Sequence, residues 1–184
     1  APKKEGKNTK EISRSHKVIT SDNGLVTITG GKWTSYRLMA EDTVDKAIEV
    51  CGLPERKCVT KKFRIHGYRK NPDLTNHMYV YGSDEPKILQ LIEQEPALGE
   101  KLSQKFGYTL AEVVWAVREE MAITLEDVLA RRVRMLFVDA REAMAAAPKA
   151  AAVMARELGR DQAWIDEQVK SFTDLAKNYI FEQK

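Results

Sequence analysis

The chain has 184 residues, 43% of them hydrophobic and 31% charged, enough for one domain or a small domain with an appendage, and no apolar run approaches membrane-spanning length. Its net charge of +3 is uneven: Lys3, Lys4, Lys7, Lys10, Arg14 and Lys17 face only Glu5 and Glu11, and the remainder is close to neutral. A nucleic-acid partner therefore has only a solvated basic lead-in behind it and is not expected.

Residues 1–11 are polar and read as a flexible lead-in. Val18-Ile19-Thr20 is a candidate strand, Ser21-Asp22-Asn23-Gly24 carries turn chemistry with Asn23-Gly24 suited to positive φ, and Leu25 to Thr29 returns as a second, buried strand. Gly30-Gly31 ends it with residues that tolerate unusual backbone angles and close approach by a ligand. A helix capped by Thr34 or Ser35 follows, its apolar positions recurring from Tyr36 to Cys51 until Gly52 and Pro54 stop it. A strand, a glycine pair and a helix start form an anion-receptive corner, to which Lys32 adds a full positive charge.

Val59 to Tyr68 alternates enough to suggest an extended segment, and Leu74 to Gly82 reads as loop or short strand. From Ser83 the pattern is helical. One helix runs from a Ser83 or Asp84 cap to about Glu95 with Pro86 in its first turn, and a shorter one from Pro96 to Gly107. Thr109-Leu110-Ala111-Glu112 is a capping box ahead of a helix that buries Val113, Val114, Trp115, Val117 and Met121. Thr124 to Asp127 repeats the start signal, a further helix is expected from Val138 to Ala147, and Pro148 suits the first turn of another that Gly159 closes. Asp161 caps the last, to about Phe181, with Ile165, Val169, Phe172, Ala176 and Tyr179 as its core stripe.

Cys51 and Cys58 lack the spacing of a zinc site or disulfide framework and are expected to be reduced. His16, His66 and His77 show no metal-ligand spacing, so no metal site is expected. The N-terminus lacks the apolar core of a secretory leader, and the location expected is cytoplasmic, with the inner face of the cell membrane as a variant. Peripheral membrane contact is compatible with the sequence.

Gly30 to Arg37 (GGKWTSYR), the preceding Ile12-Ser13-Arg14-Ser15-His16, and the later Thr124-Leu125-Glu126-Asp127-Val128-Leu129-Ala130-Arg131-Arg132 together resemble the C-terminal part of FAD-dependent glycerol-3-phosphate dehydrogenase. The resemblance runs nearly end to end. It implies a mostly α fold: a flexible 1–11, a β-hairpin and helix over 12–58 left from a flavin-binding α/β domain, and a helical C-terminal domain over 59–184. It also implies oxidation of sn-glycerol 3-phosphate to dihydroxyacetone phosphate, with electrons passing through FAD to a quinone, oxygen or another acceptor.

By the same resemblance Arg14 and Lys32 bind the substrate, and Gly30, Gly31, Lys32, Trp33 and Thr34 lie beside the flavin. No catalytic residue is expected within the chain. Arg131, Arg132 and Arg134 could line a substrate entrance or a partner surface, but structural ion pairs with the acids of neighbouring helices are the expectation. The fingerprint of a dinucleotide-binding fold, strand and GxGxxG before a helix, is absent from these 184 residues. The chain alone is therefore expected to be inactive, to retain no FAD, and to be open to self-association through its uncovered strands. The alternative from another class is a self-standing helical protein-interaction module without redox activity.

Overall fold

The computed structural model describes residues 15–181 and is mostly helical, with one two-stranded antiparallel sheet. Contacts divide the chain into two compact units, residues up to Ile65 and from His66 onward.

The first unit is a hairpin and a helix. Strand β1 (His16–Thr20) pairs with β2 (Val26–Gly30) in a register that sets His16 opposite Gly30 and Val18 opposite Ile28. The turn closes through the Gly24 N–H to the Ser21 carbonyl (2.9 Å), while Asn23 accepts from the Leu25 N–H through its side chain, and Gly24 alone takes the left-handed backbone. A short 3₁₀ turn at Trp33–Ser35 leads into α1 (Tyr36–Cys51), which ends where Gly52 adopts φ 60°. The regular helix begins at Tyr36 with Ser35 at its N-cap position, the second of the two caps expected. β2 is not the buried strand its composition suggests. None of the described residues up to Ile65 is buried, because two strands and one helix offer each side chain cover on one side only.

The second unit contains the core. A 3₁₀ segment, His77–Asp84, leads into α2 (Glu85–Gln94), with Asp84 at its N-cap position and Pro86 in its first turn. A single 3₁₀ turn (Pro96–Gly99) replaces the longer helix expected from Pro96 to Gly107. There the chain instead bends back to bridge Lys101 to Thr109, with Leu102 N–H on the Tyr108 carbonyl at 2.9 Å. Helix α3 (Leu110–Glu119) then buries every residue from Leu110 to Ala116. A π-helical stretch (Asp127–Arg132), α4 (Met135–Val138), α5 (Ala140–Leu158) and α6 (Gln162–Lys177) complete the unit. α5 packs on α3, α4 and α6.

Three expectations are corrected in these elements. Val59 to Tyr68 is not one continuous extended segment, because turns at 60–62 and 66–67 interrupt it. Met121 is not core: it occupies a left-handed turn (φ 57°) after α3 and is 85% exposed. Pro148 does not start a helix but lies inside α5, which runs through it without a break. Proline removes one ladder hydrogen bond there. The continuous face of Ala143, Ala146, Ala147, Ala150, Ala151 and Met154, all buried, keeps the helix in register on both sides of it.

Candidate functional site

The glycine corner is built as a strand end, a glycine pair and a helix start, and its glycines are needed for a reason internal to the chain. Gly30 and Gly31 both have positive φ (79° and 81°). A Cβ on Gly30 would lie 2.9 Å from the Ser15 carbonyl oxygen, and one on Gly31 would lie 2.6 Å from Met39 Sδ. Their hydrogens therefore face β1 and α1, and the side open to a ligand is formed by the residues that follow.

Lys32, Trp33 and Thr34 are all exposed, Trp33 by 88%, with its ring 6.0 Å from that of Tyr36. Ser35 holds the turn from within: its Oγ accepts from the Lys32 N–H (3.2 Å) and donates to the Lys32 carbonyl (2.9 Å). The corner thus presents an ammonium, an indole and a hydroxyl on the turn that starts α1, a surface suited to an anionic or aromatic group. Arg14 lies outside the described residues. A concavity of about 770 Å³ sits at the other end of α1, among Asp45, Ile48, Glu49, Leu53, Arg56 and Cys58, and none of the corner residues lines it.

The structure brings a histidine to the corner that no motif in the sequence marks. His16 on β1 donates from Nε2 to Asp42 Oδ2 on α1 at 2.6 Å, across 26 residues. The pairing is invisible in sequence because nothing local relates the two positions.

The second unit holds a buried polar cluster around Glu112, which is 1% exposed. Its carboxylate accepts from the Thr109 N–H (2.7 Å), completing the capping box, and also from Tyr81 Oη (3.0 Å) and His77 Nε2 (3.1 Å). Burial first, and then the Glu112 charge, push the Tyr81 hydroxyl far above the usual phenol range, so it remains a donor. The cluster pins the start of α3 to the 3₁₀ segment and has no open carboxylate face for a substrate.

The arginines after α3 divide. Arg131 pairs with Glu126 (2.6 Å) and Asp127 (2.7 Å), and Arg132 approaches Glu120 (3.6 Å); these are structural ion pairs. Arg134 is exposed and left-handed (φ 57°) at the start of α4. Cys51 and Cys58 are free thiols. Among the described residues no group of three or more His, Cys, Asp or Glu could hold a metal, and no helix is long and apolar enough to cross a membrane.

Fold and corner together define a helical domain preceded by a ββα element whose turn carries positive charge. Residues 27–165 match the family model described as the C-terminal domain of alpha-glycerophosphate oxidase, and the chain belongs to that family. It is 34% identical to the probable mitochondrial glycerol-3-phosphate dehydrogenase of Caenorhabditis elegans, over 95% of this chain and 26% of that protein. It is 32% identical to the corresponding probable enzyme of Dictyostelium discoideum (95% and 29%) and 34% identical to that of Mesocricetus auratus (94% and 26%). The chain thus spans between a quarter and a third of the length of these relatives.

All three relatives are named as mitochondrial, which overturns the expected cytoplasmic location. The lack of a secretory apolar core carries no information about import into an organelle, because that import reads a different kind of leader segment.

Proposed function

We propose that the chain serves as the C-terminal portion of an FAD-dependent glycerol-3-phosphate dehydrogenase that oxidises sn-glycerol 3-phosphate to dihydroxyacetone phosphate and passes the electrons to a quinone, oxygen or another acceptor. The observation that carries this reading is similarity to enzymes of that name over nearly the whole chain. The GGKWTSYR corner adds the local chemistry.

The corner suits one part of a flavin and not another. Exposed Lys32, Trp33 and Thr34 on a helix-starting turn match the edge of a ring system that takes up negative charge on reduction, whereas none of these corner residues forms the pyrophosphate cradle of a dinucleotide site. FAD, when bound, supplies the hydride acceptor. In this reading the backbone from Gly30 to Thr34 and the Lys32 ammonium favour negative charge developing beside them. Arg14, with a permanently charged guanidinium able to form two parallel hydrogen bonds, takes the substrate phosphate together with Lys32. The proton of the substrate hydroxyl passes to a base outside this chain. The chain alone is inactive and does not retain FAD.

The test is expression of the 184 residues alone and of the longer protein that contains them, with flavin absorbance and dye reduction by glycerol 3-phosphate as readouts. The expected result is a colourless, inactive short chain and a yellow, active long one; stoichiometric flavin on the short chain would overturn the reading. In the long protein Arg14→Ala should weaken kcat/KM for glycerol 3-phosphate by about 1.5–3 kcal/mol with flavin content unchanged. Loss of FAD with substrate constants intact would assign Arg14 to the wrong ligand.

A further inference from the structure

We infer that His16 and Asp42 are the positioning residues of the glycine corner, an inference that rests on the functional reading of that corner given above. Neither belongs to the Gly-Gly-Lys run, and neither needs to touch a ligand. His16 stands on β1 directly across from Gly30, and its imidazole reaches over the corner to Asp42, 2.6 Å away on α1. The His16 side chain is only 15% exposed, the more sheltered half of the pair.

Gly31 lies between the two elements that this hydrogen bond joins. A Cβ there would be 3.2 Å from His16 Cβ on the strand side and 2.6 Å from Met39 Sδ on the helix side. Asp42 follows Met39 by three residues and so lies on the same face of α1. Strand, glycine and helix are therefore stacked in contact, and the histidine–carboxylate bond fastens the outer two across the glycine. None of the described residues of this unit is buried, so the strut sets the angle between the hairpin and α1. That angle decides where the Lys32 ammonium and the backbone of Lys32, Trp33 and Thr34 point, and recognition depends on such directions to within about 10–20°.

The test uses the full 184-residue chain, isotope-labelled for nuclear magnetic resonance, as wild type and as His16→Ala, Asp42→Ala and His16→Gln. Amide hydrogen exchange is read residue by residue, and inorganic phosphate is titrated against the amide shifts. His16→Ala and Asp42→Ala should each speed exchange at Lys32 and Ser35, whose N–H groups bond to the Ser35 Oγ and the Lys32 carbonyl, by about tenfold or more, with amides of Ala40 to Ile48 and of α5 at wild-type rates. His16→Gln should recover most of the protection, since a glutamine amide can reach the same carboxylate. Phosphate shifts at Gly31 to Thr34 should weaken several-fold in the two alanine variants and return in the glutamine one. Unchanged exchange in both alanine variants would overturn the inference. So would equal acceleration across both strands and all of α1, which would mark a general stabilising contact. Absence of any phosphate shift in the wild type would instead refute the anion-receptive reading of the corner, while the exchange pattern still decides the positioning role.

Discussion

Met121 shows most directly how a single residue can be placed against its own preference. It takes a left-handed backbone (φ 57°) with its side chain 85% exposed, while the next residue, Ala122, is buried and its N–H reaches back to the Ala116 carbonyl at 2.9 Å. The turn is held by Ala122, and the methionine bears the strain of it, which for a side chain with a Cβ is about 1–2 kcal/mol. Met121→Gly should accordingly raise the unfolding free energy by about 1 kcal/mol in urea melts. A lower stability would show that the exposed side chain contributes packing that offsets the strain.

Asp127 supplies the pH dependence at this scale. Burial pushes its carboxyl up, but the Thr124 hydroxyl, the Ile123 and Thr124 N–H groups and Arg131 outweigh it and hold the carboxyl below its ordinary value. A depressed carboxyl contributes stability that is fully present above its unfolded pKa, about 4, and lost as the pH falls through the folded value. Asp127→Asn should therefore be less stable than wild type at pH 7, with the gap closing towards pH 3. A pH-independent difference would mean that the loss is one of packing rather than charge.

At the scale of elements, α5 is the instructive case. Pro148 is exposed on a helix that does not end there, so its ring costs a backbone hydrogen bond without contributing to the core. Pro148→Ala should stabilise the second unit, by up to about 3 kcal/mol if the helix has not adapted to the ring. Destabilisation would show that proline's restriction of the unfolded chain outweighs the missing bond. Helix α6 behaves as its stripe predicts: Phe172 and Ala176 are fully buried, and Trp164, Ile165, Val169 and Leu175 pack around them. Tyr179 falls beyond the helix end and is half exposed, its ring meeting Phe137 at 5.5 Å.

At the scale of the whole molecule, the two units differ in the cover they give their apolar side chains. Ile19, Leu25, Trp33, Leu38, Val44 and Leu53 are among the exposed apolar residues of the first unit, whereas the second buries a continuous core from Met78 to Ala176. Hydrogen exchange should be slowest in α3 and α5 and faster by orders of magnitude over residues 16–51. The free strand edges should also make sedimentation concentration-dependent. Uniformly slow exchange across residues 16–51 in a strictly monomeric sample would show that the hairpin and helix fold independently, against the reading that they are completed by a larger flavin domain.

The parts legible in the sequence were those governed by short-range chemistry. Gly52 and Gly159 close their helices in left-handed conformations, Asp161 and Thr109 cap theirs, and the apolar period of α6 marks its buried face. In each case the residue and the group it satisfies lie within a few positions of one another. The Gly30 to Arg37 run was legible in the same way, as a motif and as a strand-to-helix corner.

Tertiary structure alone decided the rest. It carried α5 through Pro148, turned Met121 outward, and gave Glu112 partners 31 and 35 residues away as well as its local cap. It also closed the hydrogens of Gly30 and Gly31 against Ser15 and Met39, and set His16 against Asp42. At the glycine corner, where nothing is buried, the reason is that contacts between residues far apart in the chain leave no local pattern; in the second unit it is packing. Local propensities are worth about 1 kcal/mol per residue, whereas burying several side chains together against a distant element is worth several times that, so packing prevails wherever the two disagree.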